Sequence, residues 1–197
     1  MSSNLQDDIA YMKALAEAGN AGPLRSGYTL MWAGILFGLA SVGQYLLMIG
    51  VLPQQVWVSF LIWFGLGGLF GLLAFLRNRQ CRAVTTTGRA SSSVWTAVSL
   101  GIGAFIFTVI LVSYQTRQTY VLSFISPVLI VLYGMGWWVD ARMSGLAWLK
   151  WVSVGCFVAA PVLGLMAAMP EQMLAYTACL LLLATLPGYI LMKAEKA

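Results

Sequence analysis

Histidine is absent from this chain of 197 residues, and only six residues are acidic. The first absence excludes the Ser/His dyad of intramembrane serine proteases, His-ligated haem and the His-containing zinc motifs of membrane metalloproteases. The second leaves Asp140 as the one carboxylate at the edge of an apolar run, which excludes a paired-aspartate intramembrane protease. Charge of either sign is scarce: 9% of residues carry it, against roughly 25% in an ordinary soluble domain. A water-soluble fold cannot cover itself with so little. The three cysteines, Cys81, Cys156 and Cys179, show no CxxC spacing, so neither a disulfide framework nor a thiolate metal site is implied, and they read as small apolar fillers. The segment "TTTGRASSS" lacks the Gly and Lys framework of a phosphate-binding loop. "YGMG" at 133–136 lacks the Thr and Val that open a potassium filter and reads as continuous helix. No catalytic residue, metal site or cofactor is read, and the chain is expected not to be an enzyme.

What is present is apolar surface. Hydrophobic residues make up 60% of the chain and the mean hydropathy is +0.85. Runs of about 20 apolar residues, the length that crosses a bilayer, recur after residue 28. Backbone polar groups in lipid must be satisfied internally, and these runs lack the alternation of a barrel strand. The expected fold is therefore an all-α, polytopic membrane bundle of six transmembrane helices. The spans fall at about 29–50, 56–76, 94–114, 120–139, 146–169 and 173–192, with a segment 1–28 before them and a tail 193–197 after. The first hydrophobic segment has no signal-peptide pattern before it and is expected to be retained.

Orientation follows from the basic residues. Lys13, Arg25, Arg77, Arg79, Arg82, Arg89, Arg142, Lys150, Lys193 and Lys196 fall on one side of the six spans, and Arg117 alone on the other. Loops that stay in the cytoplasm keep positive charge, so both termini are expected there. The stretch 77–93, with four arginines and no acid, reads as the one loop long enough to have its own surface. Arg77, Arg79, Arg82 and Arg89 are expected to fix the orientation of spans two and three, and are the candidates for contact with anionic lipid headgroups or an acidic partner. Nucleic acid is not expected, for the loop has no aromatic interleaving. Trp32, Trp95, Trp137, Trp138, Trp148 and Trp151 at the inner ends, with Trp57, Tyr114 and Tyr120 at the outer ends, read as interfacial belts; only Trp63 lies well inside a span. Before the first span, Leu5, Ile9, Met12, Leu15 and Ala16 recur at helical spacing, which predicts a short amphipathic cytoplasmic helix over 3–19.

Small residues four apart predict close helix packing at Gly34 and Gly38, Gly67 and Gly71, and Gly155 and Ala159, whether within the chain or in a homodimer. Pro127, Pro161 and Pro187 interrupt spans four, five and six and are expected to kink them. Asp140, in "GWWVDAR", is expected to face water at the inner end of span four, and Asp140 with Lys150 is the candidate polar contact there. No ionisable residue is expected at depth, so a proton relay has no carrier. Gln44 has two donors and an acceptor that cannot be satisfied alone; it is either a clasp between helices or a ligand contact in an outward cavity.

In architecture, six spans in about 200 residues with both ends inside resembles the substrate-capture subunits of energy-coupling-factor vitamin transporters, and the small-residue spacing of span one is compatible with it. That resemblance implies a cavity for an uncharged or weakly polar molecule. The residues themselves point first to a non-enzymatic module of a bacterial inner membrane. It is expected to act through protein contacts at its cytoplasmic face, with a protein partner, a second copy or membrane lipids as its neighbours.

Overall fold

Two of these helices stop beside a glycine. Gly50 and Gly145 hold the left-handed φ of +81° and +71° that only a residue without Cβ adopts freely, and each lies just beyond a helix. The computed structural model describes residues 27–80 and 86–194. Its helices are α1 (Gly27–Met48), α2 (Val56–Gln80), α3 (Thr86–Thr116), α4 (Ile125–Ser144), α5 (Ala147–Leu165), α6 (Glu171–Leu180) and α7 (Leu186–Ala194). A 3-10 segment, Thr119–Phe124, leads into α4, and a π-helical turn, Leu181–Thr185, joins α6 to α7 into one span. Six helical stretches are long and apolar enough to cross a membrane. The protein is an all-helical, multi-pass membrane bundle.

The expected helix over 3–19 and Arg82 lie outside the described residues. The stretch read as a long basic loop at 77–93 is different: α2 runs on to Gln80 and α3 begins at Thr86, so Arg77, Arg79 and Arg89 stand on helices. Nothing in "TTTGRASSS" breaks a helix, and its Ser and Thr can bond back to their own backbone. Ser93 does so to the Arg89 carbonyl at 3.0 Å and Thr96 to that of Ser92 at 2.7 Å.

Neighbouring helices run antiparallel. Ser41 Oγ pins α1 to α6 by donating to the Met173 carbonyl at 2.8 Å, and Thr177 Oγ1, 2.9 Å from that same carbonyl, lies 3.3 Å from the Gly38 carbonyl. The Arg77 guanidinium lies 5.1 Å from the centre of the Tyr28 ring, bringing the end of α2 to the start of α1. One end of the bundle thus carries Arg77, Arg89, Arg142, Lys150 and Lys193, and the opposite end Arg117 and Glu171. The core lies among α1, α4, α5 and α6–α7, around Ile130, Trp137, Leu149, Cys156, Leu163 and Leu180, all 1% exposed or less. Helix α2 packs on α1, and α3 on α4; the spanning part of α2 has no buried residue. Their outer faces, with Phe60, Phe64, Leu72, Leu100 and Phe107, are the surface such a bundle gives to lipid.

The prolines act differently from one another. Pro127 is the third residue of α4, in the first turn, where N–H groups have no helical acceptor, so it starts that helix instead of interrupting it. Pro161 does lie within α5. Pro187 denies a hydrogen bond to the carbonyl four residues before it, Leu183, within the π-helical turn.

The expected small-residue contacts divide as well. A Cβ on Gly34 would fall 2.8 Å from the Thr185 nitrogen, and one on Gly155 would meet Leu183 at 3.0 Å, so both mark close approaches. Gly38 makes an ordinary contact at 3.6 Å, and Ala159 packs against the core. Gly67 meets only Phe37 at 3.9 Å and Gly71 nothing within 4 Å, because α2 turns that face away from the bundle. The closest approach to a neighbouring backbone was not among the expected ones. Gly27 and Gly188 bring α1 and α7 so close that a Cβ on Gly188 would stand 2.5 Å from the Met31 nitrogen.

Candidate functional site

Ser91 and Trp95 are four residues apart on α3 and share a face; Tyr133, Gly136, Trp137 and Asp140 form a matching stripe on α4. Gly136 makes the fit possible, since a Cβ there would meet the Trp95 ring at 3.1 Å. With the ring laid against α4, its indole N–H donates to Asp140 Oδ2 at 2.7 Å. Tyr133 and Trp137 meet the same ring edge-on, with centroids 5.7 and 5.2 Å away. Asp140 is 0% exposed. Its Oδ1 has no hydrogen-bond partner, and neither has the enclosed Ser91 hydroxyl that faces the same carboxyl group.

This arrangement overturns the expectation that Asp140 faces water, although Asp140 still lies near the end of its span and not at mid-depth. The reason is rotational. Arg142, two residues on and some 200° round the helix, is exposed, so the pair point to opposite sides. Lys150 is half-buried at the start of α5 and makes no ion pair with Asp140 among the described residues. Trp95 and Trp137, read as interfacial anchors, are inner residues instead; Trp57, Trp138 and Trp151 keep the exposure of a belt.

Gln44 lies on the side of α1 that meets α2. Its Oε1 accepts from Ser59 Oγ at 2.7 Å and from Trp63 Nε1 at 3.2 Å, which ties the two helices and accounts for the one tryptophan deep in a span. A second amide escaped the sequence reading. Gln172, 1% exposed, donates to the Ser123 and Leu163 carbonyls at 2.8 and 3.1 Å and so joins α6 to the 3-10 segment and to the end of α5. The signal available was its place beside a turn, where carbonyls lose helical partners.

Two more polar contacts repair the backbone. Trp137 Nε1 donates to the Leu183 carbonyl at 2.8 Å, and Ser153 Oγ to that of Gly134 at 2.7 Å, where the glycine lets α5 approach to 3.0 Å from a would-be Cβ. Among the described residues no three of Cys, Asp and Glu gather as a metal ion would require. The cysteines described, Cys156 and Cys179, are unpaired thiols.

The class these features define is a polytopic helical membrane protein with one enclosed carboxylate near its basic end. No family model, curated protein or solved structure matches the chain.

Proposed function

We propose that the chain is a non-enzymatic module of a bacterial cytoplasmic membrane, with both termini in the cytoplasm, acting through protein contacts at its basic end. One observation carries the reading. The only carboxylate near that end among the described residues, Asp140, is turned inward and held by Trp95, while Arg77, Arg89, Arg142, Lys150 and Lys193 stand around it. Among the described residues, the surface of that end is therefore of one sign. Such a surface suits the cytoplasmic leaflet with its anionic headgroups, or an acidic protein face.

Gln44 lends little to a solute cavity, since its carbonyl oxygen is already shared by Ser59 and Trp63. Orientation is tested by fusing a periplasm-active phosphatase and a cytoplasm-active fluorescent protein to each terminus in turn; phosphatase activity at either end would refute it. The contact reading is tested by native mass spectrometry of protein gently released from its own membrane, beside a variant with Arg77, Arg89 and Arg142 changed to Gln. A stoichiometric protein bound by the parent and lost from the variant supports it. A bound small molecule with no protein partner would replace it with solute capture.

A further inference from the structure

We propose that Asp140 is a proton-binding site: its Oδ1 carries a proton directed at Ser91 Oγ, and loss of that proton parts α3 from α4 at the basic end of the bundle. Two enclosed oxygens face each other here, and neither has a partner. The pair of oxygens fits either state, since Ser91 Oγ–H can donate to an ionised Oδ1 and a protonated Oδ1–H can donate to Ser91 Oγ, while Oδ2 accepts from Trp95 at 2.7 Å in both; what separates them is charge. The ionised form leaves a full negative charge that no cation among the described residues pairs with, at a site 0% exposed, and an enclosed charge without a counter-charge is strongly disfavoured.

The described residues on the elements packed against α4 supply no such counter-charge. From α3, Arg89 is exposed; from α5, Lys150 is half-buried and Cys156 is a thiol; α6 offers Tyr176 and Cys179, and the 3-10 segment Tyr120. On α4 itself Tyr133 is neutral in the same stripe and Arg142 points away. None pairs with Asp140. A metal cation suits the place poorly, because Trp95 aims a positive N–H at the same carboxyl group and only two free side-chain oxygens converge, fewer than hard cations gather. A proton needs no cavity and one acceptor.

Release of the proton has a mechanical outlet. The ionised carboxylate is relieved by water, and parting the contact that Trp95 makes with Asp140 between α3 and α4 would admit it. Arg89 rides on α3, two residues before Ser91. Protonation would thus set how the basic end presents itself. That consequence rests on the proposed contact reading; the proton site does not.

The chain has three aspartates, Asp7, Asp8 and Asp140, which makes one measurement decisive without mutation. Full-length protein in lipid bilayers, labelled with 13C at Asp Cγ and 15N at the Trp indole, is followed by solid-state NMR across pH, the 13C–15N dipolar coupling selecting the aspartate bonded to a tryptophan. The expected result is a coupled Cγ with the shift of a protonated carboxyl at neutral pH, and, at alkaline pH, the carboxylate shift together with loss of the coupling. A carboxylate shift at neutral pH overturns the proton site, as does absence of any coupled aspartate or a shift that follows added Na⁺ instead of pH. Deprotonation with the coupling intact keeps the site and overturns the parting of the helices. If the site holds and no protein partner is found at the basic end, the contact reading alone has failed.

Discussion

Trp137 supplies to Leu183 the hydrogen bond that Pro187 withholds. In an α-helix the Leu183 carbonyl would accept from the N–H four residues on, but that residue is proline; the indole N–H of α4 donates there at 2.8 Å. A side chain of one span thereby completes the backbone of another, and the pairing ties α4 to the π-helical turn at a point 0% exposed.

Trp137→Phe is therefore expected to destabilise the bundle by about 1–3 kcal/mol through an unsatisfied carbonyl, beyond what the lost ring area costs. Adding Pro187→Ala returns a backbone donor, so the double variant should regain part of the loss. Unfolding in detergent, measured on both singles and the double, reads this as non-additivity. Strict additivity would mean that the indole and the proline are unrelated.

Gly188→Ala should be among the most damaging small substitutions, because its Cβ would meet the backbone of Met31 and Gly27 at 2.5 and 2.7 Å, and backbone cannot turn aside. Overpacking of this kind costs about 1–3 kcal/mol or more. Gly71→Ala, with nothing within 4 Å, should leave stability unchanged or raise it by up to about 1 kcal/mol from helix propensity. Paired thermal melts of the two variants check the order.

Gln172→Leu keeps the volume and deletes both donors to the Ser123 and Leu163 carbonyls. A loss of about 1–3 kcal/mol is expected, with the junction of α5 and α6 becoming accessible to protease before the rest. Glu171→Gln, next door and exposed, serves as the control and should change nothing.

Asp140→Asn is expected to be tolerated, since an amide can accept from Trp95 with its oxygen and donate to Ser91 with its nitrogen. Asp140→Leu is not, because the Trp95 N–H is then enclosed without a partner, at about 1–3 kcal/mol. Equal stability for the Asn and Leu variants, by chemical denaturation in detergent, would show that the joint contributes nothing.

The apolar runs made the six spans legible, because bilayer thickness leaves few ways to place a run of that length. Helix ends were less so. Ser93 looks like a loop residue until its hydroxyl is seen bonding back to the Arg89 carbonyl, and α3 begins at Thr86, eight residues before the apolar run expected at Val94. Rotation about each helix axis was the larger gap. Whether Asp140 points outward like Arg142 or inward depends on which face α3 covers, and that depends on Gly136 admitting the Trp95 ring. Spacing alone put Gly67 and Gly71 on a par with Gly34; only the partner helix separates them. Gln44 and Gln172 both bind neighbours, yet the first stood out against an apolar run and the second was hidden by its polar turn.

The contact between α1 and α6 also has a cost in time. Ser41 waits for Met173, 132 residues later in the chain, and Gly38 for Thr177, 139 residues later. At roughly 5–20 residues per second of synthesis, the first span spends on the order of ten seconds in the membrane with that face uncovered. Its other face is closed early by Gln44 against Ser59 and Trp63, only 15 and 19 residues on. The α1–α2 contact can thus close long before Glu171–Ala194 arrives to cover the other face of α1. A ribosome that stops before residue 171 leaves a protein with four other spans in place and its first helix still bare on one side.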